Sequence, residues 1–179
     1  ETIPRTAAAA FNAGKPWVID PVGIGIGKQR SDLLLEVKQY KPTIIRGNAS
    51  EIIALAGLWD VAGTAEDLSR ARGVDSTDEV ASARDAAVAL ARYTGGAVAV
   101  SGEVDLVTDG SVVAYSHGGS SLMSKVTGFG CSQGGVLAVY ACVADPFTAA
   151  LAGVAHYNKA GRHAEELASA PASFKVAFI

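Results

Sequence analysis

The sequence predicts an α/β fold, a mostly parallel sheet with helices on both faces, and three observations predict it. Short apolar or β-rich runs alternate with segments of helical period. Of the 179 residues 49% are apolar and 18% charged, which is enough to fill one substantial core and too hydrophobic for a disordered chain. Third, Asp20, Arg46 and Ser101-Gly102-Glu103 each fall just after an expected strand, where open sheets of this class bind ligands.

Taken in order, Thr6 to Ala13 is Ala-rich and helix-prone, and Gly14 stops it before a short apolar strand from Pro16 to Ile19. The glycine loop Pro21 to Gly27 leads into a helix over Ser31 to Tyr40, where Leu33, Leu34 and Val37 recur at helical spacing. A strand at Thr43 to Ile45 follows, then a helix opened by Asn48-Ala-Ser-Glu51 that Gly57 is expected to end. A polar connection occupies Leu58 to about Asp75. Ser76-Thr-Asp-Glu79 is a second capping pattern, and Val80, Ala83, Ala87, Leu90 and Ala91 mark one face of a helix ending at Gly95. A buried strand comes next at Ala97 to Val100. Glu103 to Thr108 and Val112 to Ser116 read as an antiparallel pair turned at Asp109-Gly110, residues that tolerate positive φ. Two helices complete the chain, Cys131 to Ala144 and Pro146 to about Ala168, separated by Asp145-Pro146.

Composition excludes several functions. The net charge is −3 and the fifteen Lys and Arg are scattered, so there is no basic stripe for nucleic acid. No apolar run reaches the roughly 18 residues of a membrane span. Cys131 and Cys142 lie in one expected helix, where they do not approach for a disulfide, and Cys142 is assigned to packing. With no targeting segment at the start, a cytoplasmic location is expected.

The stretch Gly128-Phe-Gly-Cys131-Ser-Gln-Gly-Gly135 has two readings. Its glycines and the helix start offer unpaired N–H groups and a partial positive charge that suit phosphate. Equally, such a turn packs a helix tightly with no ligand. Cys131, at the helix start, is open to use as a nucleophile, a weak base or a small packed residue. Asn48 to Glu51 is also double: it caps a helix, or Glu51 holds a water on Mg²⁺ while Arg46 pairs with phosphate. Asp20 and Glu103 serve a metal or cap loops. Gly23-Ile-Gly25-Ile-Gly27-Lys28 is not a phosphate loop, since Val22 stands where Gly is required and Gln29 where Ser or Thr is; it also misses the dinucleotide fingerprint by one residue. His117, His156 and His163 have no ligand spacing with the cysteines.

Read together, Asp20-Pro-Val-Gly23, Arg46-Gly-Asn-Ala-Ser-Glu51, Ser101-Gly-Glu103-Val-Asp105, Val107-Thr-Asp-Gly110 and Val126-Thr-Gly-Phe-Gly-Cys131 resemble hydroxyethylthiazole kinase, in the same order. The resemblance implies a ribokinase-like three-layer sandwich and Mg²⁺-dependent transfer of the ATP γ-phosphate to 4-methyl-5-(2-hydroxyethyl)thiazole in thiamine salvage. By motif, it implies that Arg46 and Ser101 contact ATP, Glu51 and Asp20 the Mg²⁺-phosphate region, and Gly128 the thiazole alcohol. Cys131 then faces the reacting hydroxyl, with Gly128, Phe129 and Gly130 as the anion loop. A homotrimer with active sites between subunits is implied too. On this resemblance residues 1–179 form one kinase domain lacking an upstream strand-and-helix region and a C-terminal helix. Phe129 replaces the family's usual Thr, which is expected to put a ring in the phosphoryl path; a kinase of another small alcohol, such as a hydroxymethylpyrimidine, and a non-catalytic nucleotide-binding remnant are the alternatives.

Overall fold

The computed structural model describes residues 2–61, 83–168 and 170–179. Five strands form one sheet in sequential order: β1 (Val18–Ile19), β2 (Ile44–Asn48), β3 (Ala97–Ser101), β4 (Val104–Thr108) and β5 (Val113–His117). β1, β2 and β3 pair in parallel, whereas β3–β4 and β4–β5 are antiparallel. The sheet is therefore mixed rather than mostly parallel. The reason is connection length: the few residues between β3 and β4, and between β4 and β5, allow a reversal but no crossover. At the second reversal Asp109 Oδ1 accepts from Ser111 N and Oγ and from Val112 N, all at 2.8 Å, and Gly110 takes φ 91°. These amides hold the Asp109 carboxyl down at about 2.

Helices cover both faces, as expected. α1 (Thr2–Asn12), α2 (Lys28–Val37), α3 (Ala49–Leu58) and α4 (Arg84–Thr94) pack on the face that carries Ile45, Val98, Val100 and Leu106. α5 (Phe129–Ala141) and α6 (Pro146–Leu167) pack on the other, against Ile44, Ala97, Ala99 and Val107. The alternation follows from the two-residue period of a strand. A last helix, α7 (Pro171–Phe178), adds Phe174 and Phe178 to a third cluster with Phe129 and Tyr157.

Three expectations change locally. α3 runs through Gly57 and ends where Asp60 takes the left-handed conformation, φ 50°. β2 extends to Asn48, because Arg46, Gly47 and Asn48 continue the ladder with Ala99, Val100 and Ser101. Cys142 is exposed at the C-terminal cap of α5, so it is not a packing residue. The expected cap at Ser76–Glu79, the helix start at Val80 and most of the 58–75 connection lie outside the described residues; Arg84 to Thr94 is helical and capped by Gly95 at φ 73°.

Candidate functional site

The face under α5 and α6 changes character along its strands. Toward the carboxyl ends of β2 and β3, apolar Ile44 and Ala99 give way to Arg46 and Ser101 on the same side. Asp105 on β4 and its ladder partner Ser116 on β5 turn to that side as well. The result is a polar floor beneath the N-terminal half of α5, which is where an open sheet receives a ligand.

Arg46 organises this floor. Its guanidinium donates from Nε to Gln133 Oε1 (3.1 Å), from Nη1 to Asp20 Oδ2 (3.1 Å) and from Nη2 to Ser101 Oγ (2.9 Å). Four elements thus meet at one cation, which is 8% exposed. A guanidinium has five N–H donors, so two stay open for ligand oxygens. Gly130 makes the fit possible: a Cβ there would lie 2.8 Å from Nη2 and 3.1 Å from Nη1.

Asp20 is only part-satisfied. Burial raises its pKa, against the pull of the Arg46 charge and hydrogen bond, and the nearby Glu51 charge raises it further. Its other oxygen, Oδ1, is buried without a hydrogen-bond partner. Glu51 closes a capping box: Oε2 accepts from Asn48 N at 2.9 Å while Asn48 Oδ1 accepts from Glu51 N at 2.9 Å. The capping reading of Asn48–Glu51 is therefore realised, yet the carboxylate still stands near Asp20. Among the described residues no group of three His, Cys, Asp or Glu side chains is placed to hold a metal. An unpartnered carboxylate oxygen beside a second acid fits Mg²⁺, which takes few protein ligands and fills its shell with water and phosphate.

Asp105 lies deeper. It accepts from Gly102 N (2.9 Å) and Asn158 Nδ2 (2.8 Å), and Asn158 also donates to Ser116 Oγ at 3.2 Å. Burial raises its pKa, opposed by those two bonds and by Arg46. Above this floor opens a cavity of about 760 Å³, a size suited to a small organic ligand. Arg46, Ser101, Asp105, Gly130, Gln133 and Asn158 line it, with Glu103 and the loop Gly118–Ser124 at its wall.

Gly128 begins α5 with φ 85°, a left-handed conformation that favours glycine. Ser132 N reaches Gly128 O at 2.9 Å, but among the described residues the amides of Gly130 and Cys131 have no acceptor. Of the anion loop, Gly130 and Phe129 line the cavity; Gly128 and Cys131 are exposed beside it. The Phe129 ring does not stand in the anion loop's path: it is 8% exposed and packs on Phe178, Phe174 and Tyr157 with centroids 4.5, 5.5 and 5.9 Å away. Arg46, Ser101 and Asp20, chosen from sequence, come together. Gln133, Asn158 and the 118–124 loop were missed; the signal for the first two is a polar residue on an apolar helix stripe, and Gly118-Gly119 marked the third. The three histidines stay away from the cavity, His156 Nδ1 bonding Tyr140 Oη at 2.7 Å and His163 pairing with Glu166.

Comparison with known proteins follows the same line. The chain matches the model of the hydroxyethylthiazole kinase family over residues 1–179. It is 47% identical to a hydroxyethylthiazole kinase of Bifidobacterium longum (strain DJO10A), over all of this chain and 62% of that protein. To one of Cereibacter sphaeroides (strain ATCC 17029 / ATH 2.4.9) it is 44% identical, over all of this chain and 65% of that protein. The solved structure of a hydroxyethylthiazole kinase protein from Pyrococcus horikoshii OT3 matches with a TM-score of 0.81 at 30% identity, over 97% of this chain and 61% of that one. A hypothetic protein from Streptococcus mutans, 13% identical with a TM-score of 0.62, shares the fold. The chain thus spans less than two-thirds of the length of these relatives.

Proposed function

The chain belongs to the hydroxyethylthiazole kinase family, and on that premise we propose that the protein carrying it transfers the γ-phosphoryl group of ATP to the hydroxyl of 4-methyl-5-(2-hydroxyethyl)thiazole. One observation carries this reading: a buried guanidinium, pinned by Asp20, Ser101 and Gln133, keeps two N–H donors open at a cavity that the start of α5 also lines. Phosphoryl transfer asks for little covalent chemistry from the protein and much positioning and charge stabilisation. Arg46 supplies a planar, charge-assisted contact to phosphate oxygens, and the amides of Gly130 and Cys131 offer two fixed donors beside it.

Ser101 holds Arg46 and lines the cavity, so its hydroxyl serves the nucleotide both directly and through the guanidinium. Asp20 and Glu51 are the residues that would hold Mg²⁺, through the unpartnered Asp20 Oδ1 and, by way of water, the Glu51 carboxylate. When bound, the ion supplies positive charge against the phosphate oxygens. Gly128 marks the approach for the alcohol, and Cys131 sits exposed at the same helix start. We assign that thiol to positioning the hydroxyl, because phosphoryl transfer asks for little general-base help. Orientation and electrostatics supply most of the rate. A homotrimer with sites between subunits completes this reading, the neighbouring copy supplying the rest of the alcohol pocket.

The test is a coupled ADP-release assay with Mg²⁺ on the protein carrying this chain, comparing the thiazole alcohol with a hydroxymethylpyrimidine. Thiazole-dependent ADP release is expected. Release with the pyrimidine alone would make it a kinase of that alcohol instead, and release with neither would leave a nucleotide-binding remnant.

A further inference from the structure

The first turn of α5 is tied down by an arrangement outside the cavity's polar floor. Tyr157, on α6 and 5% exposed, donates from its phenol to the carbonyl oxygen of Phe129 at 2.6 Å. Ser132 Oγ lies 2.6 Å from the same phenol oxygen and 2.8 Å from the same carbonyl. Three oxygens therefore share two hydroxyl protons. A phenol is protonated at neutral pH from its ordinary value, and burial raises the Tyr157 pKa further still. The ring is itself braced edge-on by Phe178, with centroids 4.8 Å apart.

What this triangle controls follows from peptide geometry. The Phe129 carbonyl and the Gly130 N–H belong to one planar trans peptide and point in opposite directions. Pinning the oxygen on the Tyr157 side fixes the direction of the Gly130 N–H on the other. That N–H has no acceptor among the described residues, and its residue lies against the Arg46 guanidinium. We propose that Tyr157, backed by Ser132, is a positioning residue that aims the Gly130 amide, and with it the first turn of α5, at the anion held by Arg46. This rests on the phosphate-binding reading of the site.

The triangle has a built-in redundancy that distinguishes aiming from simple packing. Without the Tyr157 phenol, the Ser132 hydroxyl is free to donate wholly to the Phe129 carbonyl; without the Ser132 hydroxyl, the Tyr157 bond persists. Removing both leaves the carbonyl with only its helical bond from Gln133 N, so the first turn of α5 is aimed less firmly. Affinity for inorganic tripolyphosphate, measured by calorimetry on the protein carrying this chain, should therefore be close to parent in Ser132→Ala, weaker by about threefold in Tyr157→Phe, and weaker by about tenfold in the double variant, the scale of one hydrogen bond to a charged ligand. Where turnover is measured, kcat should fall in the same order with the KM of the alcohol unchanged. Both substitutions keep the ring or touch an exposed side chain, so the folded state is retained. A double variant with parent affinity would overturn the proposal, as would equal losses in the two single variants. If the parent fails to bind tripolyphosphate, this inference and the phosphate reading fall together. If it binds but does not phosphorylate the thiazole alcohol, the substrate reading falls while the affinity series still decides the role of Tyr157.

Discussion

Two glycines five residues apart in α5 should respond to the same substitution with opposite sign. Ala in place of Gly in a helix interior contributes up to about 1 kcal/mol of stability, because Gly loses more backbone freedom on folding. Gly135 is exposed and a Cβ there meets nothing within 4 Å, so Gly135→Ala should stabilise by about 0.5–1 kcal/mol. At Gly130 the new methyl would stand 2.8 Å from Arg46 Nη2, well inside the 3.4 Å at which ordinary contact begins. A free arginine would swing aside at little cost. This one is held by Asp20, Ser101 and Gln133, and moving it strains bonds of about 1.5–3 kcal/mol each. Losing one of them outweighs the helix gain, so Gly130→Ala should destabilise by about 1–2 kcal/mol net. It should also raise the KM for ATP, since the displaced guanidinium no longer presents its two open donors. Urea unfolding of both variants with the parent measures the sign directly. Equal stabilisation by the two substitutions would refute the Arg46 geometry.

The remaining predictions concern other parts of the molecule. Asp109→Ala should lose stability at neutral pH, and the deficit should shrink as pH falls: a carboxyl held at about 2 in the fold, against 3.8 otherwise, contributes above 3.8 and is lost on descending through about 2. A deficit independent of pH, read from unfolding midpoints across that range, would contradict the assignment. Phe174→Ala removes a fully buried ring that touches Phe129 and Phe178 and should cost about 3–5 kcal/mol by denaturant unfolding. Cys131→Ala should retain measurable thiazole-dependent ADP release; complete loss in a variant with parent-like folding would make the thiol essential.

Much of the fold was legible because strand and helix periods are local properties. Ile44 and Ile45, or Ala97 through Val100, are apolar on both sides and so announce strands covered on two faces, which α3, α4, α5 and α6 supply. Asp20, Arg46 and Ser101 are marked by position along the chain, because each follows such a run. The mixed sheet was half visible: the Asp109-Gly110 reversal reads from the sequence, whereas the β3–β4 reversal follows from a connection too short for a crossover, closed by Gly102 donating to the Asp105 side chain, an exchange between neighbours that no period reports. Phe129 shows the limit most clearly. Its place between glycines points to the ligand, and its burial is decided by Phe174 and Phe178 forty-five and forty-nine positions later.

Gln133 and Asn158 are marked only as polar residues on apolar helix stripes, and their partners, like that of Tyr157, are hidden for a related reason. Their alignment with Arg46, Phe129 and Asp105 depends on how α5 and α6 are set against each other and against the sheet, a sum over many contacts rather than a property of either helix. Gly153 shows how finely that setting is made: a Cβ there would lie 2.6 Å from Leu137 Cδ2 and 3.7 Å from Leu137 Cα, so any side chain at 153 would force the buried Leu137 side chain to shift. Leu137 is one turn along α5 from Gln133, and Gly153 is one turn along α6 from Tyr157. The close approach is thus the packing event that brings Gln133 over Arg46 and the Tyr157 phenol onto the start of α5. The polar floor and its cavity are built from strand ends that the sequence marks and from helix positions that only the packed core defines.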